Sequence, residues 1–172
     1  HFSPTKLAKN NLVAEGISED SIFITGNTGI DTLHYSLRLQ EVDASLKEKL
    51  TEWFETQFRL KAHKNKLVLV TVHRRENFGA SLNSILGALR DLAEFYKEIK
   101  FVVPVHYNPN IRNVVFRELA DLSNVYLTEP LSYQKFIFLM RQCLFVISDS
   151  GGIQEEAPSI GKAVLVLRES TE

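Results

Sequence analysis

Leu144-Phe145-Val146-Ile147-Ser148-Asp149-Ser150-Gly151-Gly152-Ile153-Gln154-Glu155-Glu156-Ala157-Pro158-Ser159-Ile160-Gly161-Lys162-Ala163-Val164-Leu165-Val166-Leu167 is the stretch that decides the architecture. It opens on a short continuous apolar run, the kind of strand that a parallel sheet buries on both faces. Asp149-Ser150-Gly151-Gly152 turns the chain into a helix, and Gly161 ends that helix. A second apolar run, Ala163–Leu167, follows at once. Strand, helix and strand in so little chain make one unit of a parallel α/β sheet.

The same alternation extends backwards. Leu67-Val68-Leu69-Val70-Thr71-Val72 predicts a first strand rich in β-branched residues. Residues 81–97 then place Leu82, Ile85, Leu86, Leu89, Leu92, Ala93 and Tyr96 on one helical face. Phe101-Val102-Val103-Pro104-Val105 predicts the second strand. Asn108-Pro109 reads as an N-cap with proline at the first helical position, opening a helix to about Leu122. Val125-Tyr126-Leu127 is the third strand, and Ser132 starts a helix carrying Phe136, Leu139 and Met140 on its apolar side. Alternation of this kind predicts a doubly wound parallel α/β sheet.

The first 65 residues read differently. Residues 3–15 predict a helix capped by Ser3 or Thr5, Ser21–Thr25 a short strand, and Gly26-Asn27-Thr28-Gly29 a turn. An amphipathic region runs with breaks from Asp31 to about Lys61, with Trp53, Phe54 and Phe58 on its apolar face. The polar, basic Lys61–Lys66 segment predicts the edge of the α/β domain. The chain opens at His1 without an initiator methionine and stops at Glu172 just past a strand-like run, which reads as a piece of something longer.

Composition restricts the function. Of 172 residues, 44% are hydrophobic and 24% charged, as in a globular domain. With 20 basic and 21 acidic residues, and no long run of either, the chain has no basic footprint for nucleic acid or an anionic membrane. The single cysteine, Cys143, lies in an apolar stretch and reads as a small buried hydrophobe. No Cys/His pattern has metal-ligand spacing. No signal peptide or membrane-length apolar run is visible, so the expected compartment is the cytoplasm.

Ligands of an open parallel sheet bind at the carboxyl ends of its strands, and three polar clusters fall there. Asp149-Ser150-Gly151-Gly152 would let a helix N-terminus approach an oxyanion, with the Ser150 hydroxyl as a further donor. Glu156, one turn on, could accept from ribose hydroxyls, with its neighbour Glu155 the alternative carboxylate. His73-Arg74-Arg75-Glu76-Asn77 follows the first strand, and guanidinium forks match phosphate oxygens. His106, in Val105-His106-Tyr107-Asn108-Pro109, could donate to a ligand or merely cap the sheet edge. His34 and His63 lie in amphipathic or polar stretches and read as surface residues.

The segments His73-Arg74-Arg75-Glu76-Asn77, Pro104–Pro109 and Ser148–Ser159 resemble the motifs of the non-hydrolysing UDP-N-acetylglucosamine 2-epimerases, and so do His1–Thr5 and Ile22–Thr28. The resemblance runs over the whole chain in family order. It implies the glycosyltransferase B-type fold, two Rossmann-like domains around a cleft. Residues 1–30 would be the tail of the amino-terminal domain and the crossover, 31–64 a helical connection, and 65–172 a truncated carboxy-terminal UDP-binding domain.

The implied reaction interconverts UDP-N-acetylglucosamine and UDP-N-acetylmannosamine by elimination of UDP to a glycal and re-addition, with neither a nicotinamide nor a metal as cofactor. The resemblance puts Ser150, Gly151 and Gly152 on the diphosphate, Glu156 on the ribose and Phe136 near the uracil. It makes His73 the catalytic residue that helps UDP depart. Arg74 and His106 match positions that in some members bind a second UDP-N-acetylglucosamine as activator. A homodimeric full-length protein, with UDP-sugar as partner and neither nucleic acid nor membrane, completes the expectation. The family's amino-terminal motifs, which carry the carboxylates proposed to move the C2 proton, are absent from this sequence. Three other readings share the fold: a hydrolysing epimerase, a retaining glycosyltransferase and a non-catalytic nucleotide-sugar sensor.

Overall fold

The computed structural model describes residues 1–172 apart from 63, 75, 76, 78 and 169–172. Five parallel strands form the main sheet: β3 (Lys66–Thr71), β4 (Ile99–Pro104), β5 (Val125–Thr128), β6 (Phe145–Ser148) and β7 (Ala163–Val166). Their order is β5-β4-β3-β6-β7. The chain builds outwards from β3 in one direction, then returns to the other side of β3 to lay down β6 and β7. The topological switch therefore lies between β3 and β6, where such sheets open a crevice at their carboxyl edge.

The five predicted strands are the five observed, within a residue or two at each end. Helices join them: α4 (Ala80–Phe95), α5 (Pro109–Leu119), α6 (Tyr133–Gln142) and α7 (Gly151–Ser159). Asn108 caps α5 by accepting from the Asn110 N–H at 3.0 Å, with Pro109 at the first helical position. That helix stops at Leu119, a few residues short of the expected end. In α4 the face is narrower than its spacing predicts: Leu82, Leu86, Leu89 and Ala93 are buried, while Leu92 and Tyr96 are exposed. Gly79 precedes α4 with φ 79°, a conformation that favours glycine.

The amino-terminal part contains β1 (Phe2–Ser3), α1 (Lys6–Ala14), β2 (Phe23–Ile24), α2 (Thr28–Val42) and α3 (Ala44–Phe58). Thr5 is the α1 cap, accepting from the Ala8 N–H at 3.1 Å. The long amphipathic region is two helices because Asp43 ends α2 and caps α3, its carboxylate accepting from the Leu46 N–H at 3.0 Å. β1 pairs in parallel with β2 in a separate small sheet.

Period-two alternation along the strands sends neighbouring side chains to opposite faces. Val68, Val70, Phe101 and Val103 pack with α4 and α5. Leu67, Leu69, Val102 and Val146 pack on the other face with Leu33 of α2, Leu50, Phe54 and Phe58 of α3, Ile137 of α6 and Ile153 of α7. The helices of the 31–64 connection are thus part of the layer that covers this sheet face. Cys143 is buried there, its thiol donating to the Met140 carbonyl and pushed up to about 11, chiefly by burial.

Candidate functional site at the β3–β6 switch

Register places the ends of β3 and β6 side by side: Thr71 pairs with Ser148, and their hydroxyls lie 2.8 Å apart. Two residues beyond Thr71 stands His73, and one residue beyond Ser148 stands Asp149. Asp149 is fully buried, with 0% exposure. Its carboxylate accepts from the backbone N–H of His73 at 3.0 and 3.2 Å, the N–H of Arg74 at 2.8 Å and the Asn77 amide at 2.9 Å. His73 Nδ1 approaches the same carboxylate at 3.0 Å. One acidic side chain on the β6 loop therefore gathers the start and the end of the β3 loop.

The electrostatics follow from that gathering. Burial pushes the Asp149 carboxyl up, but hydrogen bonds from His73, Arg74 and Asn77 outweigh it and hold the group at about 2. His73 is raised above the ordinary imidazole value. Its hydrogen bond to Asp149 is the largest cause and the Asp149 charge adds to it, while burial and the Arg74 charge oppose. The ring is 44% exposed, so Nε2 is the nitrogen available to a ligand.

The first turn of α7 begins beside this pair. Ser150 has extended backbone at the N-cap and its side chain makes no cap hydrogen bond, so its hydroxyl is not spent on the helix. First-turn N–H groups have no acceptor within their own helix. A Cβ on Gly151 would lie 3.3 Å from Arg74 Nη2, and one on Gly152 would meet nothing within 4 Å. Neither glycine has a positive φ. Bare backbone at these two positions therefore serves close approach, as expected of a helix N-terminus facing an oxyanion, and not a left-handed turn.

One turn along α7 the two acidic residues part company. Glu155 accepts from the Asn27 amide at 2.6 Å, and Asn27 in turn caps α2 through the Gly29 N–H at 2.9 Å. Glu156 is half-buried and hydrogen-bonds with the Tyr133 hydroxyl at the start of α6. Burial, with the Glu155 charge, raises the Glu156 carboxyl, while Tyr133 opposes. Phe136 lies three residues after Tyr133, on the same side of α6, and is partly buried against the core. Of the two carboxylates left open by sequence, Glu156 meets Tyr133 of α6 and Glu155 is tied to Asn27 at the start of α2.

All 172 residues match the family model for UDP-N-acetylglucosamine 2-epimerase. The chain belongs to the UDP-N-acetylglucosamine 2-epimerase family. It is 46% identical over 172 residues to the UDP-N-acetylglucosamine 2-epimerase of Campylobacter jejuni, covering 100% of this chain and 45% of that one. The crystal structure of the Neisseria meningitidis UDP-GlcNAc 2-epimerase bound to UDP-GlcNAc superposes with a TM-score of 0.89 at 43% identity, over 99% of this chain and 45% of that one. The Methanocaldococcus jannaschii enzyme in complex with UDP-GlcNAc and UDP gives 0.76 at 27% identity, over 99% and 45%. The chain thus spans about 45% of the length of these relatives.

Within the family motifs Arg75 and Glu76 lie outside the described residues, as does His63. His106 follows β4, one strand out from the switch, and its Nδ1 accepts from the Asn108 N–H at 3.1 Å. Its described hydrogen bond stays within its own turn, away from the His73 group. His34 is exposed, as its setting predicts. Among the described residues no group of three His, Cys, Asp or Glu could hold a metal, and no helix is long and apolar enough to cross a membrane.

Asp149 and Asn77 stand inside the sequence motifs without a role of their own, and nothing in the local pattern singles out Tyr133. For Asp149 a signal was available: an acid directly after a buried strand is costly unless several donors meet it. Those donors sit 72 to 76 residues away in sequence, which no local pattern reveals.

Proposed function

We propose that the parent protein interconverts UDP-N-acetylglucosamine and UDP-N-acetylmannosamine, and that these 172 residues grip the UDP. The observation that carries this reading is the meeting of His73, Arg74 and the Ser150-Gly151-Gly152 helix start at one topological switch, held by a single buried carboxylate. On this reading residues 1–30 are the tail of a preceding Rossmann-like domain and the crossover, and residues 65–172 are the UDP-binding domain.

Elimination breaks the C1–O bond, and the electron pair leaves on the β-phosphate of UDP as the C2 proton is removed. The departing diphosphate needs preorganised positive charge. The α7 N-terminus, the Ser150 hydroxyl, Arg74 and a protonated His73 Nε2 supply it. Glu156 accepts from the ribose hydroxyls and Phe136 packs near the uracil. The two carboxylates of the site are poor bases for C2: Asp149 is held at about 2 and surrounded by donors, and Glu156 is given to the ribose. The base and the acid that work on opposite faces of C2 are therefore assigned to residues outside this chain. A second UDP-N-acetylglucosamine at Arg74 and His106, and a homodimeric parent, belong to the same proposal.

Calorimetry tests the grip. The chain should bind UDP with a Kd of roughly high-micromolar to millimolar, and Gly152→Val should abolish binding while leaving the fold intact. Equal affinity in both forms would show that the phosphate does not sit at α7. The division of labour has its own check. The chain alone should leave the C2 proton of UDP-N-acetylglucosamine unexchanged in deuterium oxide by proton NMR, and deuterium at C2 would place the base in this half.

A further inference from the structure

We propose that Asp149 is the positioning residue of this site, fixing the His73 ring with Nδ1–H on its carboxylate and leaving Nε2–H to the anionic leaving group. The inference rests on the UDP-binding reading above and specifies how the His73 side chain is made ready for it.

The geometry excludes a direct role for Asp149. Its Oδ1 receives the His73 N–H at 3.2 Å and faces His73 Nδ1 at 3.0 Å, and its Oδ2 receives the His73 N–H, the Arg74 N–H and the Asn77 amide at 3.0, 2.8 and 2.9 Å. An ionised carboxylate is the one side chain that only accepts, with about four lone-pair sites on two oxygens. The four donor groups occupy that capacity, and the residue has no exposed surface with which to touch a ligand. An asparagine would turn an NH2 group towards donors on one side or the other.

Two consequences follow. A neutral imidazole whose Nδ1–H bonds to a carboxylate presents a bare Nε2, and a protonated one presents Nε2–H. The adjacent anion favours the second form, which is the one a departing diphosphate requires. Oδ2 also holds the Arg74 backbone, and Arg74 Nη2 lies 3.3 Å from where a Gly151 Cβ would be. Asp149 therefore sets the imidazole and the guanidinium against the α7 N-terminus together. The charged groups described around His73 are Asp149, which favours its protonation, and Arg74, which opposes it.

The test uses ring-nitrogen NMR on the 15N-labelled chain, whose five histidines are distinguished by the signal lost in His73→Asn. In the wild type, His73 should carry its proton on Nδ1 when neutral and titrate above a free imidazole. Asp149→Asn should lower that midpoint and weaken UDP by roughly 10- to 100-fold, the range for a charge-assisted hydrogen bond. In the His73→Asn background the same change should cost clearly less UDP affinity, the remainder being what misplacing Arg74 costs. A wild-type His73 protonated on Nε2 alone would overturn the proposal even if Asp149→Asn did not fold. An unchanged midpoint, or equal loss of UDP affinity in both backgrounds, would also overturn it, since a merely structural carboxylate behaves that way. A ring held as expected in a chain that binds no UDP would leave the positioning intact and bring down the proposed function instead.

Discussion

Two strand-to-helix turns on the same edge of the sheet, β4–α5 and β6–α7, are built to opposite ends. In the first, Asn108 caps its own helix, Pro109 removes a donor, and His106 accepts from the Asn108 N–H. The turn satisfies itself. In the second, Ser150 leaves its helix uncapped, two glycines keep the first turn bare, and Asp149 reaches across to the β3 loop. A helix start that completes its own hydrogen bonds has no donors to offer the departing diphosphate. One that leaves donors uncapped while a neighbouring carboxylate aligns a histidine and an arginine beside it is prepared for an anion.

If that contrast is sound, the two turns should respond differently to the loss of one side chain. Asp149→Ala should have the largest effect, destabilising the fold by about 3–5 kcal/mol because buried donors lose their anion. Urea unfolding would measure it, and a loss under about 1 kcal/mol would mean that the β3 loop is held by something else.

The acid side of the pH profile should show the same residue at work. Asp149 is held at about 2, below the ~3.9 of an unfolded aspartate, so its contribution is full above about pH 4 and is lost as the pH falls towards 2. His73 is raised, so its contribution is full below the ~6.5 of a free imidazole and fades as the pH climbs through its higher folded value. The stability difference between the wild type and Asp149→Asn should therefore peak between about pH 4 and 6.5, with an acid limb worth on the order of 2–3 kcal/mol. A difference that kept growing above pH 8 would contradict the pairing.

A smaller change should sharpen the ligand side. Glu156→Gln should weaken UDP by roughly 1.5–3 kcal/mol and inorganic diphosphate hardly at all, because the assigned contact is to ribose. Equal losses by calorimetry would move Glu156 to the phosphates. Smallest of all, Asn108→Ala should cost about 1 kcal/mol of stability, the value of one helix cap, and leave UDP affinity unchanged. A clear loss of UDP affinity there would bring the β4–α5 turn into the site and dissolve the contrast.

The sheet, its five strands and their helices were legible from the chain because each is a local matter. A buried parallel strand needs a continuous apolar run, and Leu67–Val72 and Leu144–Ile147 announce it within six and four residues. Asn108-Pro109 and Gly161 mark helix ends by backbone chemistry that neighbours alone determine. The placement of three polar clusters at strand ends followed from the same reading. Three things depended on the folded chain. The order β5-β4-β3-β6-β7 brings Thr71 beside Ser148 across 77 residues and so creates the switch. The same crossing turns Asp149 from an acid in a loop into the acceptor for His73, Arg74 and Asn77. Packing of α2 and α6 against α7 separates Glu155, drawn to Asn27, from Glu156, drawn to Tyr133. Local sequence can specify which residues carry charge and where the backbone turns. The partner of a buried charge is decided by which distant strands lie next to each other, and that is a property of the tertiary structure alone.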